Sequence, residues 1–261
     1  CYGHAFVLLA AAGAAKAGIE TAPALAAEVY DLLEKRFWEP EAQLYVDEIA
    51  SGDWNAINPY RGQNTNMHMC EAMLVAYEAT GEAQYLERAH LLATRVCVQL
   101  AEHSDRLIWE HYTTDWKHDW DYNKEDPKNL FKPYGYLPGH FAEWAKLLLI
   151  LERYRPETWM LERAQSLLDI ALEKSWDADN GGMHYSFAPD GTILDTDRYY
   201  WVLSETFAAA ACMAMRTGND TYWAWYDKVW NFADQYFVDH EYGAWYRILD
   251  GNNKKYDDLK S

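Results

Sequence analysis

The chain reads as an all-α protein of consecutive helical hairpins, the class of an α/α toroid. Three observations predict this. Helical periodicity recurs in pairs, at about 3–18 with 22–38, 67–80 with 83–101, 138–154 with 157–175, and 199–217 with 219–237. The break inside each pair is short, which makes partner helices antiparallel neighbours. The first helix of each pair is also the more apolar, as in Phe6-Val-Leu-Leu-Ala-Ala-Ala and Phe207-Ala-Ala-Ala-Ala-Cys-Met, while the second carries charges such as Glu28, Glu34, Arg88, Glu162 and Arg163. An inner and an outer layer are implied.

The breaks fall at Gly18, Gly81, Arg155-Pro156 and Gly218-Asn219. Glycine permits the left-handed cap that ends a helix, and proline opens the next one. Longer connections follow the second helices and resemble one another: Phe37 to Tyr45, Trp176 to Tyr185, and Phe237 to Tyr246 each read as a turn into a short hairpin. The connection from 102 to 137 holds Leu107 to Tyr112 as a strand, then a long polar loop of the kind that is usually functional in a compact domain. Residues 1–261 are read as a single domain.

A net charge of -18, from 41 acidic against 23 basic residues, repels a phosphate backbone, so nucleic acid is not an expected partner. The apolar segments Ala5 to Ala15 and Leu147 to Leu151 are shorter than the about 20 residues that span a bilayer, and no membrane partner is expected. Four cysteines, at positions 1, 70, 97 and 212, lie in helical patterns without CxxC spacing. They suit buried hydrophobes in a reducing compartment, and the cytoplasm is the expected location. Thirteen Trp and 20 Tyr either fill a large core or line a carbohydrate cleft, where pyranose C–H faces stack on flat rings.

Chemistry enters at two helix starts. Asn64-Thr-Asn-Met-His68-Met-Cys-Glu71 and Pro138-Gly-His140-Phe-Ala-Glu143 each set an imidazole and a carboxylate three residues apart, on one helical face. Imidazole, with an ordinary pKa of about 6.5, serves as acid or base near neutral pH, and a neighbouring glutamate aligns it. His4, His68 and His140 lie 14, 13 and 15 residues before the breaks at Gly18, Gly81 and Arg155, at equivalent starts of three inner helices. Stacked hairpins would bring such starts to one rim. The structural alternative is that each histidine only satisfies a helix end. His90, His103, His111, His118, His184 and His240 are expected in solvated or structural roles, with His111 the exception worth mutating.

Tyr2-Gly-His-Ala-Phe6, Arg61-Gly-Gln-Asn-Thr-Asn-Met-His68, Asp121-Tyr-Asn123, Pro138-Gly-His140-Phe-Ala-Glu143-Trp144 and Trp201-Val-Leu-Ser-Glu205 resemble, in order, the motif series of the N-acylglucosamine 2-epimerase superfamily, which includes cellobiose 2-epimerases and mannose isomerases. The resemblance implies an (α/α)6 barrel. It implies His140 as a catalytic acid-base with Glu143 orienting it, His68 as the histidine that assists ring opening, and Asn64 as an amide holding a hydroxyl. Tyr2 and Trp201 would be pocket walls, and Arg61 a further substrate-binding candidate. No cofactor and no metal are expected, and the partner is a small monosaccharide; a homodimer stays open.

Returning the abstracted proton to C2 gives epimerisation, and delivering it to C1 gives aldose-ketose isomerisation. Glu110 to Trp116 resembles the mannose isomerase branch, so interconversion of D-mannose and D-fructose is the expected activity, with N-acylglucosamine 2-epimerisation the alternative. A glycoside hydrolase on the same architecture is the more distant one, with Glu143 and Glu205, or Asp177 and Asp239, as its carboxylates. Four hairpins stand where the family barrel has six. The chain is therefore expected to be an incomplete arc, truncated at both ends, with a second catalytic histidine beyond its end and little activity of its own.

Overall fold

Eight α-helices among the described residues fall at the expected pairings. The computed structural model describes residues 1–50 and 52–261. It divides into one unit of Cys1–Tyr122 with Arg153–Pro156 and another of Asn123–Glu152 with Glu157–Ser261.

The first unit holds α1 (Tyr2–Lys16), α2 (Ala22–Arg36), α3 (Gln63–Thr80) and α4 (Ala83–Thr94). Its short strands are β1 (Trp38–Glu39), β2 (Leu44–Tyr45), β3 (Arg61–Gly62) and β4 (His111–Tyr112). The helix α3 is buried on nearly every side through Met67, Met69, Cys70, Ala72, Met73, Leu74 and Ala76, as an inner helix should be. It ends at Gly81, whose φ of 74° is the left-handed cap expected there. Packed against α3 is α1, which buries only Ala5, Leu8, Ala11 and Ala12 and leaves Phe6 and Val7 partly wet. The two run parallel. Tyr2 and Phe6 meet His68 near their starts, and Lys16 pairs with Glu78 at 2.6 Å near their ends.

Two expectations in this unit are corrected. The helix foreseen over 83–101 stops being α-helical at Thr94 and continues as a π turn, Arg95–Leu100. The wider turn accompanies a long reach by Arg95, whose Nε donates to the Ala42 carbonyl at 2.8 Å. The strand foreseen over Leu107 to Tyr112 shrinks to β4, antiparallel to β3. The chain before it is held by side chains instead: Tyr112 donates to the Trp109 carbonyl at 2.9 Å, and Trp109 Nε1 to that of Asp119 at 3.0 Å.

The second unit holds α5 (Pro138–Tyr154, up to Glu152 here), α6 (Thr158–Ser175), α7 (Tyr200–Thr217) and α8 (Asp220–Tyr236). Two small antiparallel pairs accompany them, β5 (Ser186–Phe187) with β6 (Ile193–Asp195), and β7 (Arg198–Tyr199) with β8 (Ile248–Leu249). Leu137, Met183, Val202, Leu203, Val229, Phe232 and Phe237 form its core. Three ties run along α5 and α7 from start to end: Gly139 against Trp201, Lys146 with Glu205, and Glu152 with Arg216 at 2.7 Å. These inner helices are therefore parallel too.

The resemblance among the loops after α2, α6 and α8 is real. Trp38 pairs with Tyr45 in β1–β2, Trp176 bridges Met183, and Val238 bridges Trp245, all antiparallel. No disulfide links the four cysteines, of which Cys70 and Cys97 are buried as expected, whereas Cys1, just before α1, and Cys212, in α7, are half-buried. No helix among the described residues is long and apolar enough to cross a membrane.

Candidate active site

In the first unit, the segment 61–68 separates residues that hold structure from residues left for other work. Gly62, the N-cap of α3, has no side chain to cap with, and Asp47 substitutes for one. Its carboxylate accepts from the Gly62 amide at 2.6 Å and the Thr65 hydroxyl at 2.7 Å, placing negative charge at a helix N-terminus. Gln63 donates to Glu110 at 2.9 Å. Asn66 bridges both backbone groups of Tyr45, at 2.8 and 3.0 Å, fastening α3 to the β1–β2 hairpin.

Arg61 is buried in a two-pronged contact with Glu39, at 2.7 and 3.2 Å, and also donates to the carbonyls of Asn58 and Tyr60. The bonded polar groups of this stretch thus serve the protein itself. Asn64 differs, because its Oδ1 is buried without a hydrogen-bond partner. A buried acceptor left in that state costs free energy unless something donates to it.

One helical turn after Asn64 comes His68, half-buried, its Nδ1 3.2 Å from Glu71 Oε2. The steering carboxylate read from the i, i+3 spacing is in place. Tyr2 meets the imidazole edge-on at 5.2 Å between centroids, and Phe6 lies 5.0 Å away. Tyr2 and His68 are therefore brought together, with Phe6 against both rings, a contact that the sequence does not announce. His4 faces other company: its ring is 5.2 Å from Phe37, and burial holds its imidazole below the usual value. His111 is fully buried on β4, its Nδ1 2.9 Å from the Tyr60 hydroxyl. Burial, helped by the charges of Asp47 and Glu110, pushes the Tyr60 phenol well above its ordinary range, so this hydroxyl stays protonated.

In the second unit, Pro138 opens α5 and His140 follows in its first turn, 6% exposed. Trp201, in the first turn of α7, lies 5.2 Å from the imidazole with the ring planes 33° apart. Their closeness depends on Gly139, where an added Cβ would sit 2.6 Å from the Trp201 ring and 2.9 Å from Val202. Only the absence of a side chain lets the indole approach. Glu143 is 3% exposed and one turn further along α5. Tyr185 meets Trp201 edge-on at 5.9 Å and stacks on Tyr199 at 4.0 Å, extending the aromatic wall. Burial and the nearby Asp195 and Asp197 push the Tyr199 phenol up to about 12, so it too remains neutral.

Each unit thus presents a histidine in the early turns of an inner helix, against an aromatic ring, with a glutamate three residues on. The arrangement can move protons at the face of a bound ring or chain. Asp47, Phe6 and Gly139 escape sequence reasoning for different reasons. Asp47 and Phe6 act through contacts distant in sequence, and Gly139 through an approach that only packing creates, although its place beside His140 in the Pro-Gly-His motif was a usable signal.

D-mannose isomerase of Marinomonas mediterranea is 52% identical over 262 residues, covering all of this chain and 66% of the relative's own length, so the chain spans just under two thirds of that protein. The crystal structure of a D-mannose isomerase superposes with a TM-score of 0.98 at 52% identity, over 100% of this chain and 67% of the other. For the fold alone, cellobiose 2-epimerase from Spirochaeta thermophila matches with a TM-score of 0.84 at 23% identity, over 99% of this chain and 64% of that one. The model of the N-acylglucosamine 2-epimerase (GlcNAc 2-epimerase) family matches residues 1–261, and the chain belongs to that family.

Proposed function

We propose that the full-length protein is a sugar isomerase that interconverts D-mannose and D-fructose by acid-base proton transfer. The observation that carries this reading is the buried His140 set on Trp201 with Glu143 one turn away, in a chain 52% identical to a protein named D-mannose isomerase. In this proposal His68 and its partner Glu71 assist opening of the sugar ring, with Tyr2 as wall, and the unsatisfied Asn64 Oδ1 accepts a sugar hydroxyl. Arg61 acts as a positioning residue for the start of α3, because Glu39 and two carbonyls occupy its guanidinium.

His140 removes the proton on C2, alpha to the aldehyde of the open-chain sugar. The electron pair moves into the C1–C2 bond to form an enediolate, which hydrogen-bond donors stabilise. Delivery of the abstracted proton from the His140 imidazolium to C1, with transfer of the C2 hydroxyl proton to O1, completes the ketose, and the Glu143 carboxylate favours the transient imidazolium. A reducing cytoplasm, suited to cysteines at 1, 70, 97 and 212 that lie in helical patterns without CxxC spacing, is part of the proposal. Residues 1–261 are proposed to act as one catalytic domain.

N-acylglucosamine 2-epimerisation is the second reading, favoured by the family match itself. A hydrolase gains little. Asp177 is bound to Arg198 at 2.5 Å, Asp239 to Lys260 and Glu205 to Lys146, each in a structural contact. Mannose incubated with the full-length protein in deuterated water decides between the first two: isomerisation places deuterium on C1 of fructose, whereas label confined to C2 of an aldose without ketose overturns the proposal.

A further inference from the structure

The first unit holds a cleft that none of Tyr2, Asn64 and His68 lines. Its volume is about 500 Å³, and it lies between the π turn Arg95–Leu100 and the loop 113–120, with Arg95, Gln99, His103, Trp116 and Trp120 on its surface. Both walls carry backbone that ordinary helices and turns avoid. One is the π turn itself, a form concentrated at functional sites. The other holds Trp116 at a φ of 60°, a left-handed conformation that bulky residues rarely adopt. Its turn is closed by the Trp116 amide on the Thr113 carbonyl and the Thr113 amide on the Lys117 carbonyl, both at 2.9 Å. Unfavourable backbone retained in two walls of one cleft argues for a use of the space between them.

Arg95 sets the charge of that space. Its Nε donates to the Ala42 carbonyl at 2.8 Å and its Nη1 to the Gln99 side chain, so both acceptors are neutral. Among the described residues no carboxylate pairs with it, although the chain has 41 acidic residues against 23 basic ones. Burial lowers the Arg95 pKa, and no neighbouring charge offsets the lost hydration. A half-buried cation in that condition costs free energy, which a bound anion offsets. Asp115 lines the cleft too, but Lys117 pairs with it at 2.5 Å and the Thr113 hydroxyl donates to it, so this pair adds no net charge. Beside the cation stands a ring platform. Trp120 is 39% exposed yet braced, stacked on His118 at 4.9 Å with the planes 14° apart and set against Trp109 at 4.7 Å. Trp116 is buried, its Nε1 donating to Glu39 at 2.8 Å. Rings fixed in advance lose little freedom when a ligand lands on them.

We propose that this cleft binds a phosphate monoester of a monosaccharide, with the phosphate at Arg95 and the sugar ring against Trp120. A guanidinium takes phosphate oxygens through several charge-assisted bonds, and an indole takes the C–H face of a pyranose. Near neutral pH the phosphate carries almost two negative charges, so it gains more from an uncompensated arginine than a carboxylate does. The inference stands whatever reaction His68 and His140 perform.

Isothermal titration calorimetry tests it, with mannose 6-phosphate added to full-length protein already equilibrated with excess mannose. Saturable binding is expected, weakened about tenfold in Arg95→Gln and at least about tenfold weaker for inorganic phosphate, which has no ring to place on Trp120. Lys117→Glu, on a side chain 80% exposed, leaves the fold intact and is expected to weaken binding severalfold by adding negative charge at the rim. Absence of binding, equal affinity in the parent and Arg95→Gln, or inorganic phosphate bound as tightly as the ester overturns the proposal. Should circular dichroism show Arg95→Gln unfolded, Lys117→Glu decides, and unchanged affinity there overturns it. Turnover of mannose without this binding defeats the cleft alone, and binding without turnover defeats the isomerase reading alone.

Discussion

Asn64 is where the residue scale is most informative. The motif 61–68 was legible as a unit, but which of its polar side chains serve the protein and which remain for a ligand was not. That partition depends on Glu39, Asp47, Tyr45 and Glu110, residues 21 or more positions away in sequence at the closest bonded contact between side chains or with backbone, save for Asp47, which lies 15 from Gly62. Asn64→Ala is expected to lower kcat/KM of the full-length protein about tenfold to a hundredfold, the worth of one or two lost hydrogen bonds, while leaving the melting temperature unchanged or raised. Steady-state kinetics beside a thermal melt check both halves.

His118 gives a pH prediction. Burial, then the neighbouring His103, lowers its pKa from 6.5 to about 4, and its ring stacks on Trp120. The unfolded chain therefore binds a proton between those values that the folded chain refuses. The stability this site contributes is complete above the unfolded value and is lost as pH falls toward 4. Chemical denaturation at several pH values should show a shallower acid loss in His118→Phe than in the parent. The sequence reading of His118 as solvated or structural could not distinguish these two, because the aromatic shell around it comes from folding.

At the scale of elements, the helices were largely legible because period, glycine breaks and proline openings are local. Gly81 and Gly218 both adopt the left-handed cap where the sequence puts the end of an inner helix. The π turn after α4 was illegible, since nothing in Arg95 to Leu100 announces a wider turn. Gly139 joins element to site: α5 and α7 approach so closely there that Gly139→Ala must displace Trp201 or Val202. A loss of about 1–3 kcal/mol is expected from such overpacking, together with reduced kcat. Calorimetry and kinetics on the variant provide the check, and an unchanged protein would contradict the packing argument.

Across the whole chain, apolar surface remains wet in both units. A cleft of about 580 Å³ on α1 and α2 is lined by residues including Phe6, Val7, Ile19 and Leu25, and in the second unit Met215, Trp223 and Trp230 are exposed. Exposed apolar area favours association by about 25 cal/mol for each Å² covered. The 261-residue chain is expected to self-associate with rising concentration, and Val7→Glu to weaken this. Sedimentation velocity over a hundredfold concentration range would contradict it by showing one unchanging monomer.

The sequence by itself determined the paired helices, their caps, the layer of apolar first helices and the two His-x-x-Glu constellations, because periodicity, capping and i, i+3 spacing are properties of neighbours along the chain. The tertiary structure decided that α1 runs parallel to α3 and α5 to α7, that Asp47 caps a helix it does not belong to, that Arg61 is spent on Glu39, and that Trp201 can lie on His140 because Gly139 is bare. Those outcomes turn on distances between residues far apart in sequence, which are settled only when the side chains of separate helices compete for the same space.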